Sequence, residues 1–191
     1  MAHAKTLSDT NVRTLIALLE KESRDLARDR AMVLLSTKAG LRAIEIAGLT
    51  WGCIREDDTI IELIRTKGGK PRTVPMNKDL RAALQAYRAE SRRTGDDDVL
   101  FKCRHAKPGE PMSANAVTAW FRDLYVRRLG WAGYSSHSGR RTFATQAARK
   151  ATTVGGSLRD VQDMLGHASL TTTQRYLEPS SEAKRKLVEL I

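Results

Sequence analysis

The chain has 191 residues and a formal net charge of +11, from 33 Lys and Arg against 22 Asp and Glu. Its 41% hydrophobic and 29% charged residues exclude global disorder, and no apolar stretch approaches the roughly 20 residues that cross a membrane. The N-terminus lacks the apolar segment of a secretory signal, and Cys53 and Cys103 form no CxxC pair, so we expect reduced thiols in a cytoplasmic protein.

The first 50 residues predict three helices. Ser8 is a typical N-cap residue, and apolar residues follow it at helical spacing. A second helix is expected from about residue 24 to residue 37, and Gly40 ends it. A short helix then contains Arg42 and Glu45 and ends near Gly48.

The middle of the chain changes to a β pattern. Residues 59–65 are typical of a strand, residues 67–70 of a glycine-containing turn, and residues 72–75 of a returning strand. Pro75 marks an edge or the end of that strand. These segments predict a β-hairpin, either alone or in a three-stranded sheet with the segment around Cys53 and Ile54.

Helices predominate again after residue 80. Residues 96–98 are expected to form a loop and residues 99–101 a short strand. Apolar spacing predicts helices around residues 80–87, after an N-cap at Ser113, from about His137 to Lys150, over 158–165 with a break at Gly166, over 171–177, and over 181–191. The predicted fold class is therefore mainly α with a small antiparallel β-sheet, an α+β fold.

The positive charge is concentrated in one segment. Between residues 122 and 150, seven Lys and Arg face one acidic residue, Asp123, so 29 residues contribute +6 of the net +11. Such a segment is typical of a surface that binds nucleic acid, although a solvated helix face is the simpler alternative. The basic residues are Arg122, Arg127, Arg128, Arg140, Arg141, Arg149 and Lys150.

Five groups of polar residues stand at positions where they could do chemistry. Two of them are pairs separated by three positions, so each pair projects from one side of its helix. Each group alone has an ordinary explanation as a surface ion pair, a solvated turn, a helix cap or a packed aromatic ring. Their joint occurrence favours a functional site. In chain order they are Arg42 with Glu45, Lys67, His137 with Arg140, His167, and Tyr176.

Arginine, histidine and lysine side chains in this number form a phosphate-binding set. Guanidinium groups bind nonbridging phosphate oxygens in pairs and stabilise the extra charge of a pentacoordinate phosphorus, as a preorganised oxyanion site does. No metal or other cofactor is expected, because carboxylates are not clustered and no Cys and His set has the spacing of a zinc site.

Phosphoryl transfer also needs a nucleophile, and Tyr176 is the candidate. A phenol has a pKa of about 10, so neighbouring cations or a base must activate it. His137 could accept its proton or bind the phosphate, and Lys67 could protonate the departing 5′ oxygen. Glu45 would orient Arg42 or a histidine.

These residues resemble the boxes of the tyrosine recombinase, or phage integrase, family over roughly residues 8 to 178. Each box alone is a weak signal, but all of them in order are highly specific. The boxes are Gly40-Leu41-Arg42-Ala43-Ile44-Glu45-Ile46, Lys67 within Thr66-Lys67-Gly68-Gly69-Lys70, His137-Ser138-Gly139-Arg140, Leu165-Gly166-His167, and Tyr176.

The resemblance implies chemistry like that of type IB topoisomerases. Tyr176 would attack a phosphate of double-stranded DNA, form a 3′-phosphotyrosyl link and release a 5′-hydroxyl. A 5′-hydroxyl of the partner duplex would then reverse this step. Because the bond energy is conserved, no ATP is needed. It further implies a monomer that assembles into a tetramer on two DNA sites, associated with the nucleoid. The remaining cations would hold the duplex, with Lys70, Arg72, Arg122, Arg127, Arg128, Arg141, Arg149 and Lys150 as the expected DNA contacts.

The sequence also departs from the family pattern. Residues 1–191 are expected to form a single catalytic domain, with 179–191 as a tail helix and without the usual N-terminal core-binding domain, and Gly139 replaces the more common leucine. Two alternatives therefore stay open. One is a DNA-binding fragment or regulator without catalysis, and the other is a relaxing topoisomerase.

Overall fold

The computed structural model describes residues 4–55, 60–63, 71–92, 94–103 and 110–174, together with 185, 188 and 189. Within these ranges, helices accompany one two-stranded antiparallel sheet, and the predicted mainly α fold with a small sheet is confirmed. The elements are α1 (Asp9–Glu22), α2 (Leu26–Lys38), α3 (Ala43–Ala47), β1 (Ile60–Leu63), β2 (Arg72–Pro75), α4 (Lys78–Glu90), α5 (Ala114–Arg122), α6 (Ser138–Lys150), α7 (Leu158–Leu165) and α8 (Leu170–Gln174).

Helix α2 lies at the centre of the fold. Five consecutive residues, Ala31 to Leu35, are buried, so the helix is apolar around its circumference, as expected of an element packed on all sides. It packs against α4 and α6 and also contacts α1 and α3. Both α3 and α6, which contain the two predicted Arg-containing boxes, therefore pack against the same helix.

The sheet is the predicted hairpin. Ile60 pairs with Pro75 and Leu63 pairs with Arg72, so the described strands form its two arms. The predicted turn at 67–70 lies outside the described residues. Ile54 meets Ile61 through a single isolated bridge, so the neighbouring segment adds one contact and no third strand forms among the described residues.

Several predicted helix ends are confirmed. The Ser8 side chain accepts a hydrogen bond from the backbone of Asn11 at the start of α1, and Ser113 does the same for Ala116 at the start of α5. Gly40 and Gly166 adopt left-handed φ values of 65° and 60° after α2 and α7, a conformation that glycine adopts at low cost.

Two predicted elements differ in detail. Residues 99–101 form no named strand, because Val99 and Lys102 make only isolated bridges to Thr50 and Pro111. The final predicted helix, 181–191, lies almost entirely outside the described residues. Val188 is one of its few described residues, and it is 72% exposed. Helix α8 is described over Leu170–Gln174, and the rest of the predicted 171–177 helix lies outside the described residues.

A small second core joins α6 to α7. Ala144, Val161 and Leu165 are buried there, and this packing sets the end of α7 beside the first turn of α6. Helix α6 also approaches α2 closely, at Gly139 and Ser36. A Cβ atom at Gly139 would lie 2.1 Å from Ser36 Oγ and 2.8 Å from Ser36 Cβ. Glycine at 139 therefore allows an approach that the leucine common in the family would prevent.

Candidate active site

Glu45 lies at the centre of the candidate site, with a side chain that is 0% exposed. Its Oε2 accepts a hydrogen bond from the backbone nitrogen of Arg42 at 2.7 Å, and its Oε1 accepts one from Arg42 Nη1 at 2.8 Å. Arg42 is the N-cap residue of α3 and Glu45 is in its first turn. Glu45 therefore holds the Arg42 side chain in place, as one of the two expected roles of Glu45 requires.

Arg140 reaches the same carboxylate from α6. Its Nη1 lies 3.9 Å from Glu45 Oε2, and its guanidinium donates to the carbonyl oxygens of Gly40 and Leu165, both at 2.6 Å. The first acceptor lies between α2 and α3, and the second ends α7. These bonds fix the buried guanidinium between three parts of the fold.

Arg72 is among the expected DNA contacts, but its side chain lies inside the fold and not on an exposed face. Its side chain is 5% exposed and donates to Glu45 Oε1 at 2.6 Å, to Glu45 Oε2 at 3.0 Å, and to the Met164 carbonyl at 2.8 Å. Burial lowers the pKa of Arg72 and Glu45 opposes that change. The side chain points inward because β2 alternates buried and exposed residues, starting with a buried Arg72.

His167 directly follows the end of α7 at Gly166. Its backbone nitrogen donates to the Gln162 carbonyl at 3.1 Å, its own carbonyl accepts from Gln162 Nε2 at 2.9 Å, and its Nδ1 lies 3.0 Å from Thr173 Oγ1. Burial, together with the charges of Arg140, Arg42 and Arg72, lowers the pKa of His167 to about 4. The ring is therefore neutral at neutral pH.

The other predicted catalytic residues divide into two cases. His137 is the N-cap residue of α6 and is exposed, in contrast to the buried Arg140 three positions later. Lys67 and Tyr176 lie outside the described residues. The described structure thus brings together Arg42, Glu45, Arg140 and His167, and it adds Arg72 to them.

The basic residues expected to contact DNA occupy varied positions. Arg127 is exposed and forms an ion pair with Asp123 at 3.2 Å, whereas Arg128 is mostly buried against Glu22. Arg141 is half-buried, and its Nε has no hydrogen-bond partner among the described residues. Three more are exposed, and Lys70 lies outside the described residues. The exposed three are Arg122, Arg149 and Lys150.

Charge gives the site its chemical character. Three guanidinium groups surround one carboxylate, so two positive charges remain in excess around Glu45. A partly buried excess of positive charge is costly until an anion neutralises it. Among the described residues, no group of three Cys, His, Asp or Glu side chains is placed to hold a metal ion, and no helix is long and apolar enough to cross a membrane.

The sequence pattern of the phage integrase family matches residues 5–183. The chain therefore belongs to the phage integrase family, and the predicted resemblance is confirmed. Tyrosine recombinase XerA of Pyrococcus furiosus is 33% identical over 185 residues, which cover 97% of this chain and 61% of that protein. Tyrosine recombinase XerC of Xylella fastidiosa is 36% identical over 150 residues, which cover 78% and 48%.

Solved structures agree in fold. A crystal structure of XerA recombinase superposes with a TM-score of 0.71 at 27% identity and covers 100% of this chain and 66% of that one. The integrase of transposon Tn1549, bound to a circular-intermediate DNA, superposes with a TM-score of 0.78 at 20% identity, over 100% of this chain and 67% of that one. The chain thus spans about half to two thirds of the length of these relatives.

Sequence reasoning missed two residues of this cluster. Arg72 was counted as one cation among many, although its alternation with the apolar Val74 in a predicted strand is a signal that its side chain faces inward. Thr173 is one of three consecutive threonines, and helical spacing alone does not show which of them faces His167.

Proposed function

We propose that this chain cleaves and rejoins DNA strands in site-specific recombination, through a covalent bond between Tyr176 and DNA. The observation that supports the proposal is the cluster of Arg42, Arg72 and Arg140 around Glu45, with a neutral His167 beside it. Its excess positive charge is suited to a single phosphate diester, whose nonbridging oxygens accept bonds from guanidinium groups.

In the proposed reaction, the phenol oxygen of Tyr176 attacks phosphorus while the bond from phosphorus to the 5′ oxygen breaks. His137 accepts the phenol proton, and Lys67 donates a proton to the departing oxygen. The products are a 3′-phosphotyrosyl link and a 5′-hydroxyl. A 5′-hydroxyl of a second duplex then reverses the same steps, which conserves the bond energy.

Arg42 and Arg140 stabilise the charge that develops on the phosphoryl oxygens, and His167 donates a further hydrogen bond. Arg42 retains 22% side-chain exposure, which gives a bound phosphate access to it from outside. Glu45 holds Arg42 in place and takes no part in bond breaking. The guanidinium groups supply the positive charge, so the proposed chemistry involves no metal ion.

The exposed cations would hold the flanking duplex. Arg122, Arg149 and Lys150 are exposed, and we place Lys70, Arg127 and Arg141 with them. Arg128 is a weaker DNA contact because Glu22 neutralises it. Binding should weaken steeply with salt, since each phosphate contact releases counterions.

We further propose that the active assembly is a tetramer of this catalytic domain on two DNA sites, that the free protein is a monomer, and that it acts on chromosomal DNA. The exposed apolar side chain of Val188 near the C-terminus supports docking between protomers. Mass photometry with and without DNA tests this assembly, and a DNA-bound species that stays monomeric at every concentration would contradict it.

The test of catalysis is covalent capture. Duplexes that bind the native chain are selected from a random-sequence library and prepared with a nick beside the cleavage position, so that a released fragment traps the adduct. The native chain should form a protein–DNA adduct that survives denaturation, and Tyr176→Phe should form none. Tyr134→Phe is the matched control, because Tyr134 packs in an aromatic cluster and should leave the adduct intact.

Specific binding without an adduct would contradict catalysis and favour a DNA-binding regulator. An adduct that persists in Tyr176→Phe would show that another residue is the nucleophile. Arg42→Ala and Arg140→Ala should each slow adduct formation by about 10²–10³-fold, as does the loss of an oxyanion-binding donor in other enzymes.

A further inference from the structure

Helix α8 presents three consecutive threonines in different environments. Thr171 and Thr172 are exposed, whereas Thr173 is 0% exposed. The buried hydroxyl of Thr173 lies 3.0 Å from Nδ1 of His167. Thr173 precedes Tyr176 by three residues in the sequence, so this contact joins the site histidine to the segment that leads to the proposed nucleophile.

His167 is held at two points. Gln162 binds both its backbone nitrogen and its carbonyl, at 3.1 and 2.9 Å, which fixes the residue against α7. Thr173 binds its ring from α8. With the backbone fixed on one helix and one ring nitrogen bound on another, the direction of the second nitrogen, Nε2, is set by the fold.

The chemistry of a phosphate determines which nitrogen must hold the proton. A neutral imidazole has one N–H donor and one acceptor nitrogen, and His167 is neutral at neutral pH because burial and the nearby arginines lower its pKa. Phosphoryl oxygens only accept hydrogen bonds. A neutral His167 can bind one through Nε2 only if the proton is on Nε2, and Nδ1 must then accept a bond from Thr173.

We propose that Thr173 is a positioning residue, whose hydroxyl donates to Nδ1 of His167 and keeps the ring proton on Nε2, where it is donated to a phosphoryl oxygen of the scissile phosphate. The inference rests on the proposed DNA cleavage. It assigns a role to Thr173 that acts entirely through His167, since the threonine hydroxyl is occupied by the ring and does not itself touch DNA.

The first experiment compares three variants in the covalent-capture assay at saturating DNA. Thr173→Val keeps the shape of the side chain and removes the hydroxyl. We expect adduct formation to slow by about 10–100-fold, by analogy with the loss of the group that orients a metal-binding histidine. Thr173→Ser keeps the hydroxyl, so its rate should lie within a few fold of the native rate. Thr172→Val, the exposed neighbour, should leave the rate unchanged, and DNA affinity should be unchanged in all three variants.

The second experiment combines Thr173→Val with His167→Ala. If Thr173 acts through the ring, the double variant should cleave at the rate of His167→Ala alone, because residues that act as a unit are not additive. A further loss in the double variant would overturn the inference, since it would mean that Thr173 supports the site independently of His167. Equal rates for Thr173→Val and the native chain would overturn it as well.

The third experiment needs no DNA. Long-range ¹H–¹⁵N spectra of the free protein report which imidazole nitrogen is protonated, and the His167 signal is identified by its loss in His167→Ala. We expect the proton on Nε2 in the native chain and in Thr173→Ser, and a population with the proton on Nδ1 in Thr173→Val. A native ring protonated on Nδ1 would refute the role of Thr173 even if adducts form, whereas failure of adduct formation alone would refute the proposed function.

Discussion

Arg72 and Glu45 are joined by two parallel hydrogen bonds, from Nη1 to Oε1 at 2.6 Å and from Nη2 to Oε2 at 3.0 Å, between residues 27 positions apart. The pair links β2 to α3. The Glu45 carboxylate also accepts hydrogen bonds from the backbone nitrogen and the guanidinium group of Arg42, so one buried carboxylate holds both β2 and the first arginine of the site. Arg72 thus anchors β2 to the cluster of arginines around Glu45.

This pair should contribute strongly to stability. Both side chains are almost fully buried, at 5% and 0% exposure. Removing Arg72 breaks two buried hydrogen bonds to the Glu45 carboxylate and a third to the Met164 carbonyl, and bonds to charged groups are among the strongest in proteins. We expect Arg72→Met to lower the free energy of unfolding by about 3–5 kcal/mol, measured by urea unfolding. Arg72→Lys should lose less, because it keeps the charge but loses the paired geometry.

A matched surface pair provides the control. Arg55 and Glu62 are bonded at 2.9 Å, but their side chains are 59% and 36% exposed. Arg55→Met should therefore change the free energy of unfolding by less than about 1 kcal/mol. Equal losses in Arg72→Met and Arg55→Met would contradict a structural role for the buried pair.

The excess positive charge of the cluster predicts an effect of anions on stability. Inorganic phosphate should raise the melting temperature of the native chain above its value in chloride at equal ionic strength, because a ligand that binds only the folded state stabilises it. Glu45→Gln removes the one negative charge of the cluster, so its melting temperature should start lower and rise further with phosphate. Differential scanning fluorimetry measures both shifts.

Glu62→Gln is the control for this titration, since Glu62 pairs with Arg55 at the surface and lies opposite the exposed Thr73, on the other face of the hairpin from the buried Arg72. Its response to phosphate should match that of the native chain. A phosphate response that is identical in Glu45→Gln and in the native chain would show that phosphate does not bind at the cluster.

The contrast between Arg42 and Arg72 shows how far the sequence predicts this site. The contact between Arg42 and Glu45 follows from helical spacing, because residues three apart on one helix are neighbours in any fold. The contact between Arg72 and Glu45 depends on how β2 packs against α3, which no local period specifies. Alternation in the strand predicts that Arg72 and Val74 share a face, but not which carboxylate lies opposite that face.

The same limit applies to His167 and Thr173. The glycine at 166 predicts the end of α7, and its left-handed φ of 60° confirms it, so the position of His167 after a helix end was predictable. The direction of its ring depends on a second helix that begins three residues later. Only the packed structure distinguishes Thr173 from the two threonines before it.

The lowered pKa of His167 predicts how stability changes with pH. The folded chain binds the ring proton with a pKa of about 4, whereas the unfolded chain binds it near the ordinary value of 6.5. Between these values the unfolded state binds more protons, so the free energy of unfolding should fall as the pH falls through this window. Half-exposure of the ring to water limits the size of the effect.

His167→Asn isolates this contribution from the carboxylates that titrate in the same range. Urea unfolding of both proteins at several pH values should give a shallower decline for His167→Asn between pH 6.5 and 4. Parallel declines in the two proteins would contradict a partly buried His167 with a lowered pKa. The cleavage rate of the native chain should show no ionisation of His167 near pH 6.5 for the same reason.

At Gly139, helix propensity and packing predict opposite effects of a substitution by alanine. Propensity alone predicts that Gly139→Ala stabilises α6 by about 1 kcal/mol, but the added Cβ would lie 2.1 Å from Ser36 Oγ and 3.0 Å from the Ser36 backbone carbon. Overpacking of this kind costs about 1–3 kcal/mol, so we expect a net loss in urea unfolding. Ser36→Gly removes the two nearest atoms, so adding Gly139→Ala to Ser36→Gly should cost less than Gly139→Ala costs in the native chain; the helix propensity of the glycine introduced at position 36 cancels in this comparison. A Gly139→Ala variant more stable than the native chain would mean that α2 and α6 separate freely at this point, and the position of Arg140 would then not depend on their close packing.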